Sequence, residues 1–458
     1  MTLHRVFIAN RGEIAVRIIR TCRRLGIETV LGVSEADRDG VAAKLADRTV
    51  CIGPARPADS YLKIGAIVHA ALATKADAIH PGYGFLAERA DFARLCEAEK
   101  IAFIGPTAAQ IATMGDKLQA RLAAQSASVP VVPGSTATSP EQALAAARVL
   151  GFPLLVKAVG GGGGRGMKRV DRCEDLGDAV SLAAAEAQAA FGDARVYLER
   201  FVASARHVEV QVLGDGQGQV IQLGERDCSA QRRYQKMIEE APAPELVAEV
   251  REGLHAAAVR FAQRTAYRGA GTVEFLVDRE RGSFYFLEMN ARIQVEHPVT
   301  EAVTGVDLVA EQIAIAGGGG LRLAQSDIHP RGCAIECRIN AEDPNNDFRP
   351  SPGVVREARW PAGEGIRVDT HIASGSRISP YYDSLMAKII AHAADRAAAL
   401  SLLRHALAST RVTGVSTNVS FQERLLADAE FAAGGFDTGL VERALARHTA
   451  ERQQVNHG

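Results

Sequence analysis

Phe284-Tyr285-Phe286-Leu287-Glu288-Met289-Asn290-Ala291-Arg292-Ile293-Gln294-Val295-Glu296-His297 is the stretch of this 458-residue chain whose reading decides most about the fold. From 287 to 296 every even position is polar and every odd position apolar. In an extended chain that alternation puts Glu288, Asn290, Arg292, Gln294 and Glu296 on one face and Leu287, Met289, Ala291, Ile293 and Val295 on the other. Upstream, Gly271-Thr272-Val273-Glu274-Phe275-Leu276-Val277-Asp278 reads as a second strand, and Arg279-Glu280-Arg281-Gly282-Ser283 supplies turn chemistry. A hairpin folded about Arg281 sets Glu274 opposite Glu288. Like charges facing across a ladder destabilise it, so the pair wants a cation between the carboxylates. With Asn290 two residues on, the oxygens suit Mg²⁺ carrying nucleotide phosphates and water. Fully extended, the step from Glu288 to Glu296 spans about 26 Å, too far for one metal cluster. The face is therefore expected to be a track of subsites, unless the chain curls. A solvated strand face explains the alternation but not two apposed glutamates.

Working outward, Gly160-Gly161-Gly162-Gly163-Gly164-Arg165-Gly166 lies between the strand-like runs Pro153-Leu154-Leu155-Val156-Lys157 and Met167-Lys168-Arg169-Val170. A glycine-rich hairpin can fold over a triphosphate and donate backbone N–H groups, because no Cβ blocks close approach. The spacing GxGxxG occurs at Gly161, Gly163 and Gly166, but no helix follows, and the Lys-Ser/Thr of a P-loop is missing, so neither dinucleotide nor P-loop chemistry is inferred. The plainer alternative is a flexible linker. Lys157, amid Leu154, Leu155 and Val156, needs a partner anion if it points inward. Lys117, in Met114-Gly115-Asp116-Lys117, is a second candidate for phosphate contact. Gln231-Arg232-Arg233-Tyr234-Gln235-Lys236 concentrates basic groups that, taken alone, read as a solvated face.

The beginning of the chain is β-α-β. Residues 5–10 are apolar, 12–25 carry helical periodicity and 28–33 are again strand-like, which implies a parallel sheet. Its first turn, Asn10-Arg11-Gly12-Glu13, lacks the dinucleotide fingerprint. The expected organisation is α/β and α+β: a Rossmann-like domain over 1–114, a second domain over 115–330 with an inserted lobe at 131–203, an α+β domain over 331–446, and a tail at 447–458. Within the lobe the pattern is strand, glycine loop, strand, helix and strand; beyond it come a helix near 244–264 and the hairpin.

Composition bounds the function. A formal charge of −1 gives no electrostatic reason to expect nucleic acid or an anionic membrane as partner. No stretch approaches the roughly 18 apolar residues of a membrane span, and the start resembles no signal peptide, so a cytoplasmic location is expected. The seven cysteines are scattered, and Cys333 and Cys337 match no common zinc spacing.

Together these stretches resemble the biotin carboxylase subunits and domains of acetyl-CoA carboxylase and its relatives, members of the ATP-grasp type. The resemblance runs from Ile8-Ala9-Asn10-Arg11-Gly12-Glu13-Ile14-Ala15 through His80-Pro81-Gly82-Tyr83-Gly84-Phe85-Leu86, the glycine run and Arg206-His207-Val208-Glu209-Val210-Gln211. It continues through the 288–297 segment, Glu336-Cys337-Arg338-Ile339-Asn340-Ala341-Glu342-Asp343 and Tyr381-Tyr382-Asp383-Ser384.

It implies a pre-ATP-grasp domain, an ATP-grasp domain with a lid, and a C-terminal biotin carboxylase domain. Lys117, Lys157, Gly163, Gly164, His207, Gln231 and the hinge Glu199-Arg200-Phe201-Val202 would then bind ATP, with Tyr234 where the family commonly has histidine. Val159 replaces a usual serine. Glu274, Glu288 and Asn290 would hold Mg²⁺ or Mn²⁺. Lys236, Arg292 and the backbone of Val295 would hold bicarbonate, Glu296 would be the base, and Arg338 would hold carboxyphosphate and the biotin ureido group. The implied reaction carboxylates biotin by way of carboxyphosphate. The Ala-Met-Lys-Met signature of a biotin attachment domain is missing, Met386-Ala387-Lys388 being the nearest approach. Biotin is thus expected on a separate biotin carboxyl carrier protein, with separate carboxyltransferase subunits and a homodimeric carboxylase. The first expectation for the acceptor is acetyl-CoA in fatty acid synthesis; propionyl-CoA, methylcrotonyl-CoA, geranyl-CoA, urea and pyruvate are alternatives. Another ATP-grasp ligase and a catalytically dead assembly partner are the competing readings.

Overall fold

A computed structural model describes residues 3–137, 140–159 and 167–447. The N-terminal sheet has five strands: β1 (Arg5–Ile8), β2 (Glu28–Ser34), β3 (Arg48–Gly53), β4 (Ala78–His80) and β5 (Ala102–Phe103). Their order is β3-β2-β1-β4-β5, every neighbour parallel, and helix α1 (Gly12–Arg24) crosses from β1 to β2. Ile14, Ile18, Ile19 and Cys22 form the buried stripe of α1, as their spacing requires.

The inserted lobe carries its own four-stranded sheet: β6 (Gly134–Ala137), β7 (Leu154–Ala158), β8 (Met167–Val170) and β9 (Val196–Arg200), in the order β6-β9-β7-β8. Two helices cover it, α2 (Pro140–Leu150) and α3 (Leu176–Phe191). The expected pattern had one helix. Ala143, Ala145, Ala146 and Ala147 make α2 a good helix former with little amphipathic contrast to reveal it.

The body is one eight-stranded sheet. Its strands are β10 (Ala205–Asp215), β11 (Val220–Arg232), β12 (Gln235–Ala241), β13 (Arg268–Asp278), β14 (Ser283–Asn290), β15 (Cys333–Asn340), β16 (Ile366–Thr370) and β17 (Leu385–Ala393). Their order is β14-β13-β10-β11-β12-β15-β17-β16, so the ladder continues unbroken across residue 331 through the β12–β15 pair. Helix α4 (Ala248–Arg264) begins later than expected, after Pro244 and a left-handed Glu245. Helices α5 (His297–Thr304) and α6 (Arg396–Ser409) pack near β15 and β17. All seven cysteines are free thiols. Among the described residues no helix is long and apolar enough to cross a membrane. The expected tail, 447–458, has only its first residue among them.

Candidate active site

The hairpin forms as the alternation requires, with Glu274 paired to Glu288, Val273 to Met289 and Thr272 to Asn290. A bulge between Glu274 and Phe275 sets this register against that of the turn end, where Asp278 faces Ser283. The extended track does not form. Strand β14 stops at Asn290, and the chain curls into α5, with Glu296 at the helix N-cap position and Pro298 in the first turn. Two things turn it. The Ala291 N–H donates to Glu88 Oε1 (3.1 Å) instead of a ladder carbonyl, and the Gln294 carbonyl meets the His297 ring at Nδ1 (2.8 Å).

The curl brings Glu274 and Glu296 to one ammonium. Lys236 Nζ donates to Glu209 Oε2 (2.6 Å), Glu274 Oε1 (3.0 Å) and Glu296 Oε1 (2.6 Å). Arg338 reaches the other oxygen of Glu296 (2.8 Å) and binds Glu239 Oε1 through Nε (2.6 Å). Beneath them the fully buried Arg226 fixes Glu209 (2.6 Å), Gln211 (2.8 Å), Thr272 (3.1 Å) and Gln294 (3.0 Å). Gln294 in turn donates to Glu274 Oε1 (2.9 Å). Arg292 is anchored from the N-terminal domain, its Nε on Glu88 Oε2 (2.8 Å), and donates to Asn290 Oδ1 (2.6 Å).

These charges tune one another. Burial pushes the Glu296 carboxyl up, but Lys236, Arg338 and Arg226 outweigh burial and the neighbouring Glu209, holding it below the usual carboxylate range. It is ionised at neutral pH, the form a base needs. Burial disfavours the Lys236 ammonium, yet Glu209, Glu274 and Glu296 raise it well above the ordinary lysine value. His207 lies with Nε2 3.2 Å from Glu274 and is raised to about 9, Glu274 overcoming desolvation. Glu239, desolvated beside Arg338, is pushed to about 7.

A cavity of about 560 Å³ is lined by Lys117, Lys157, His207, Gln231, Tyr234, Lys236, Glu274, Glu288, Asn290, Arg292, Val295, Glu296 and Arg338. Lys157 points inward, and its anion is Glu199 (2.5 Å), which also accepts from Arg121 (3.0 Å). Tyr234, 59% exposed, stands at the rim in the left-handed turn between β11 and β12. Arg200, Phe201 and Val202 form the exit of β9 and do not line the cavity, though Arg200 donates to the Tyr285 hydroxyl (3.0 Å). Gly163 and Gly164 lie outside the described residues.

The residues expected to hold a divalent cation offer two carboxylates and an amide oxygen, the hard donors Mg²⁺ prefers. Glu288 faces Lys117 (3.7 Å), and ligand atoms of Glu274, His207 and Glu209 lie within 4.8 Å of one another. The donor set fits such an ion once Asn290 Oδ1 leaves Arg292. Glu209, Glu239 and Arg226 are site residues that motif reading passed over. The alternation of His207, Glu209 and Gln211 with Val208, Val210 and Val212 was a signal for Glu209.

Comparison with known proteins identifies the family. Family models described as biotin carboxylase N-terminal domain, carbamoyl-phosphate synthase L chain ATP binding domain, and biotin carboxylase C-terminal domain match residues 2–111, 116–324 and 336–443. The chain is 53% identical over 446 residues to a protein of Pseudomonas aeruginosa named biotin carboxylase, covering 97% of this chain and 99% of that one. A crystal structure of a biotin carboxylase–β,γ-ATP complex from Campylobacter jejuni superposes with a TM-score of 0.94 at 43% identity, over 96% of this chain and 99% of that chain. The biotin carboxylase domain dimer of Hydrogenobacter thermophilus 2-oxoglutarate carboxylase, solved with MgADP, ADP and bicarbonate, gives 0.92 at 45% identity, over 97% and 98%.

Proposed function

The chain belongs to the biotin carboxylase family and is an ATP-dependent ligase of three-domain architecture, and we propose that its cavity carboxylates biotin presented by a separate biotin carboxyl carrier protein. The observation that carries the reading is the meeting of Lys236, Arg338 and Glu296 at one point of the cavity. In this reading the two cations that now neutralise Glu296 are the cations that receive bicarbonate and carboxyphosphate. As Lys236 and Arg338 turn to the incoming anions, Glu296 loses their stabilisation and its proton affinity rises, so substrate arrival itself makes the base stronger. Arg292, held by Glu88, adds a third cation, and the Val295 N–H a neutral donor.

Glu296 takes the proton of bicarbonate, whose oxygen attacks the γ-phosphorus of ATP and displaces ADP. Carboxyphosphate then separates into CO₂ and phosphate; phosphate removes the ureido proton, and N1′ captures CO₂. Arg338 stabilises the charge that develops on the ureido oxygen. Mg²⁺, when bound by Glu274, Glu288 and Asn290, neutralises phosphate oxygens for the transfer. Lys117, Lys157, His207 and Gln231 bind the nucleotide, Glu199-Arg200-Phe201-Val202 form the hinge, and the lobe at 131–203 closes over it as a lid.

We read the enzyme as a cytoplasmic homodimer working with carboxyltransferase subunits, with acetyl-CoA as the final acceptor. The full-length match to a biotin carboxylase and the dimer of the H. thermophilus relative support this reading; that relative's 2-oxoglutarate makes the acceptor worth testing by reconstitution. The central claim is tested by bicarbonate-dependent ATP cleavage with and without free biotin. Stimulation by biotin is expected; none at any concentration would sink it.

A further inference from the structure

Met386-Ala387-Lys388, the nearest approach to a biotin attachment signature, lies inside β17, and Lys388 is completely buried, so it is no modification target. Its surroundings assign it another role. Lys388 is paired in register with Arg338 on β15 and with Asp369 on β16. Side chains alternate along strands, so all three project from the same face of the sheet. Adjacent cations on a ladder repel, and each here has its own anions: Arg338 has Glu239 and Glu296, whereas Lys388 has Glu13 Oε1 on α1 (3.1 Å) and, farther off, Asp369 (4.0 Å). Glu336, on the same sheet face, has no hydrogen-bond partner for either buried carboxylate oxygen among the described residues; burial pushes its pKa well above the ordinary value, which favours the neutral acid there.

The remaining contact of Lys388 is the one that bears on chemistry. Nζ donates to the carbonyl of Val295 at 2.7 Å. That carbonyl belongs to the peptide joining Val295 to Glu296, within the curl that replaces the end of β14. A charge-assisted bond from a lysine clamped in a dry interior fixes the plane of that peptide more firmly than a neutral donor does. The Glu296 N–H lies in that plane and the Glu296 side chain leaves the backbone beside it, while the Val295 N–H, on the preceding peptide, is joined to it through the Val295 Cα.

We propose that Lys388 is a positioning residue for bicarbonate, acting through the Val295–Glu296 peptide and clamped in place by Glu13 of the N-terminal domain. The inference rests on the roles given above to Val295 and Glu296. A lysine serving only the fold needs its acidic partners; the bond to the carbonyl of the substrate-binding turn adds a catalytic consequence.

The test is steady-state kinetics of the full chain, with melting temperature measured alongside. Lys388→Met is expected to raise KM for bicarbonate by about tenfold to a hundredfold, the cost of misplacing a substrate contact by up to an ångström, while leaving KM for ATP unchanged. Lys388→Arg, which keeps the charge, is expected to recover part of the loss. Should Lys388→Met fail to fold because Glu13 is left uncompensated, the neutral double variant Lys388→Met/Glu13→Gln is expected to show the same split between the two KM values. Equal rises in both KM values, or a fall in melting temperature with both unmoved, would overturn the proposal and leave Lys388 a structural residue. A wild-type protein without bicarbonate-dependent ATP cleavage would instead remove the reading of the site itself.

Discussion

The lid lobe and the eight-stranded body sheet are built to different degrees of independence. The lid has a core of its own, running from Ala143 through Leu154, Val156, Val180 and Leu198, and none of its members is shared with the cores of the body. Its ties to the body are chiefly polar: Arg121 to Glu199, Arg200 to the Tyr285 hydroxyl, and one bridge between Val131 and Phe286. A neutral hydrogen bond contributes about 0.5–1.5 kcal/mol and one to a charged group about 1.5–3 kcal/mol, so ties as few as these can be exchanged as a unit moves. The body, in contrast, joins Glu288 on β14 to Lys388 on β17 through one continuous backbone ladder. On the proposed reading, the lobe assigned to cover nucleotide is the one held by few exchangeable bonds, while the groups assigned to bicarbonate are fixed to a common sheet.

The widest separation of the two ends should come from Glu296→Ala. A general base contributes about 10²–10⁴-fold in rate, and Glu296 sits at the rigid end, so turnover should fall by that range with nucleotide affinity unchanged. The fold should survive, because Lys236 keeps Glu209 and Glu274, and Arg338 keeps Glu239. Turnover and ADP affinity, measured by kinetics and calorimetry, decide it; equal losses in both would move Glu296 into the nucleotide site.

Next in size is a cavity cut into the lid. Leu198 is fully buried in the lid core, and Leu→Ala at such sites costs about 2–5 kcal/mol. If the lid is an independent unit, Leu198→Ala should speed amide exchange in β7, β8 and β9 while leaving β10 and β13 as slow as in the wild type. Equal acceleration in the body strands would show that the two regions unfold together.

Much of this contrast was legible in the sequence. The glutamate pair could be placed because strand alternation puts both carboxylates on one face, but the bulge that sets Glu274 opposite Glu288, one residue off the register at the turn, carried no local signal. The curl after Asn290 could not, since alternation of polar and apolar residues is the same in a strand and in a turn whose polar side chains are held from afar. Glu88 lies 203 residues from Ala291, and Arg226 lies 68 residues from Gln294. Lys388 escaped for the same reason: a lysine between apolar residues announces that it needs a partner, but not that the partner is the carbonyl of Val295, 93 residues away. The sequence of Tyr234 marked a departure, and the fold places it at the cavity rim rather than deep within it.

The smallest effect tests how the body sheet is braced from behind. Glu225 on β11 is buried and accepts hydrogen bonds from Arg251 Nε (2.8 Å) and the Ala243 N–H (3.2 Å), and it meets His255 Nε2 at 2.6 Å. Arg251 and His255 are four residues apart on α4, so this one carboxylate pins the helix to the sheet. Burial pushes the Glu225 carboxyl up, but His255 and Arg251 reverse that and bring it down to about 2. The group is therefore ionised in the folded chain where the unfolded chain begins to take up a proton, near 4.5. Its stabilisation is fully present above about pH 4.5 and is lost as pH falls toward 2, amounting to roughly 3 kcal/mol at neutral pH. Glu225→Gln should accordingly lower the melting temperature at pH 7, and the gap from wild type should narrow steadily between pH 4.5 and 3. The lid should be indifferent: exchange in β7 and β9 should not change, because no contact of Glu225 reaches it. A melting gap that stays constant with pH would mean that the carboxylate stabilises α4 by shape and hydrogen-bond count alone, and that its charge contributes nothing to bracing the sheet.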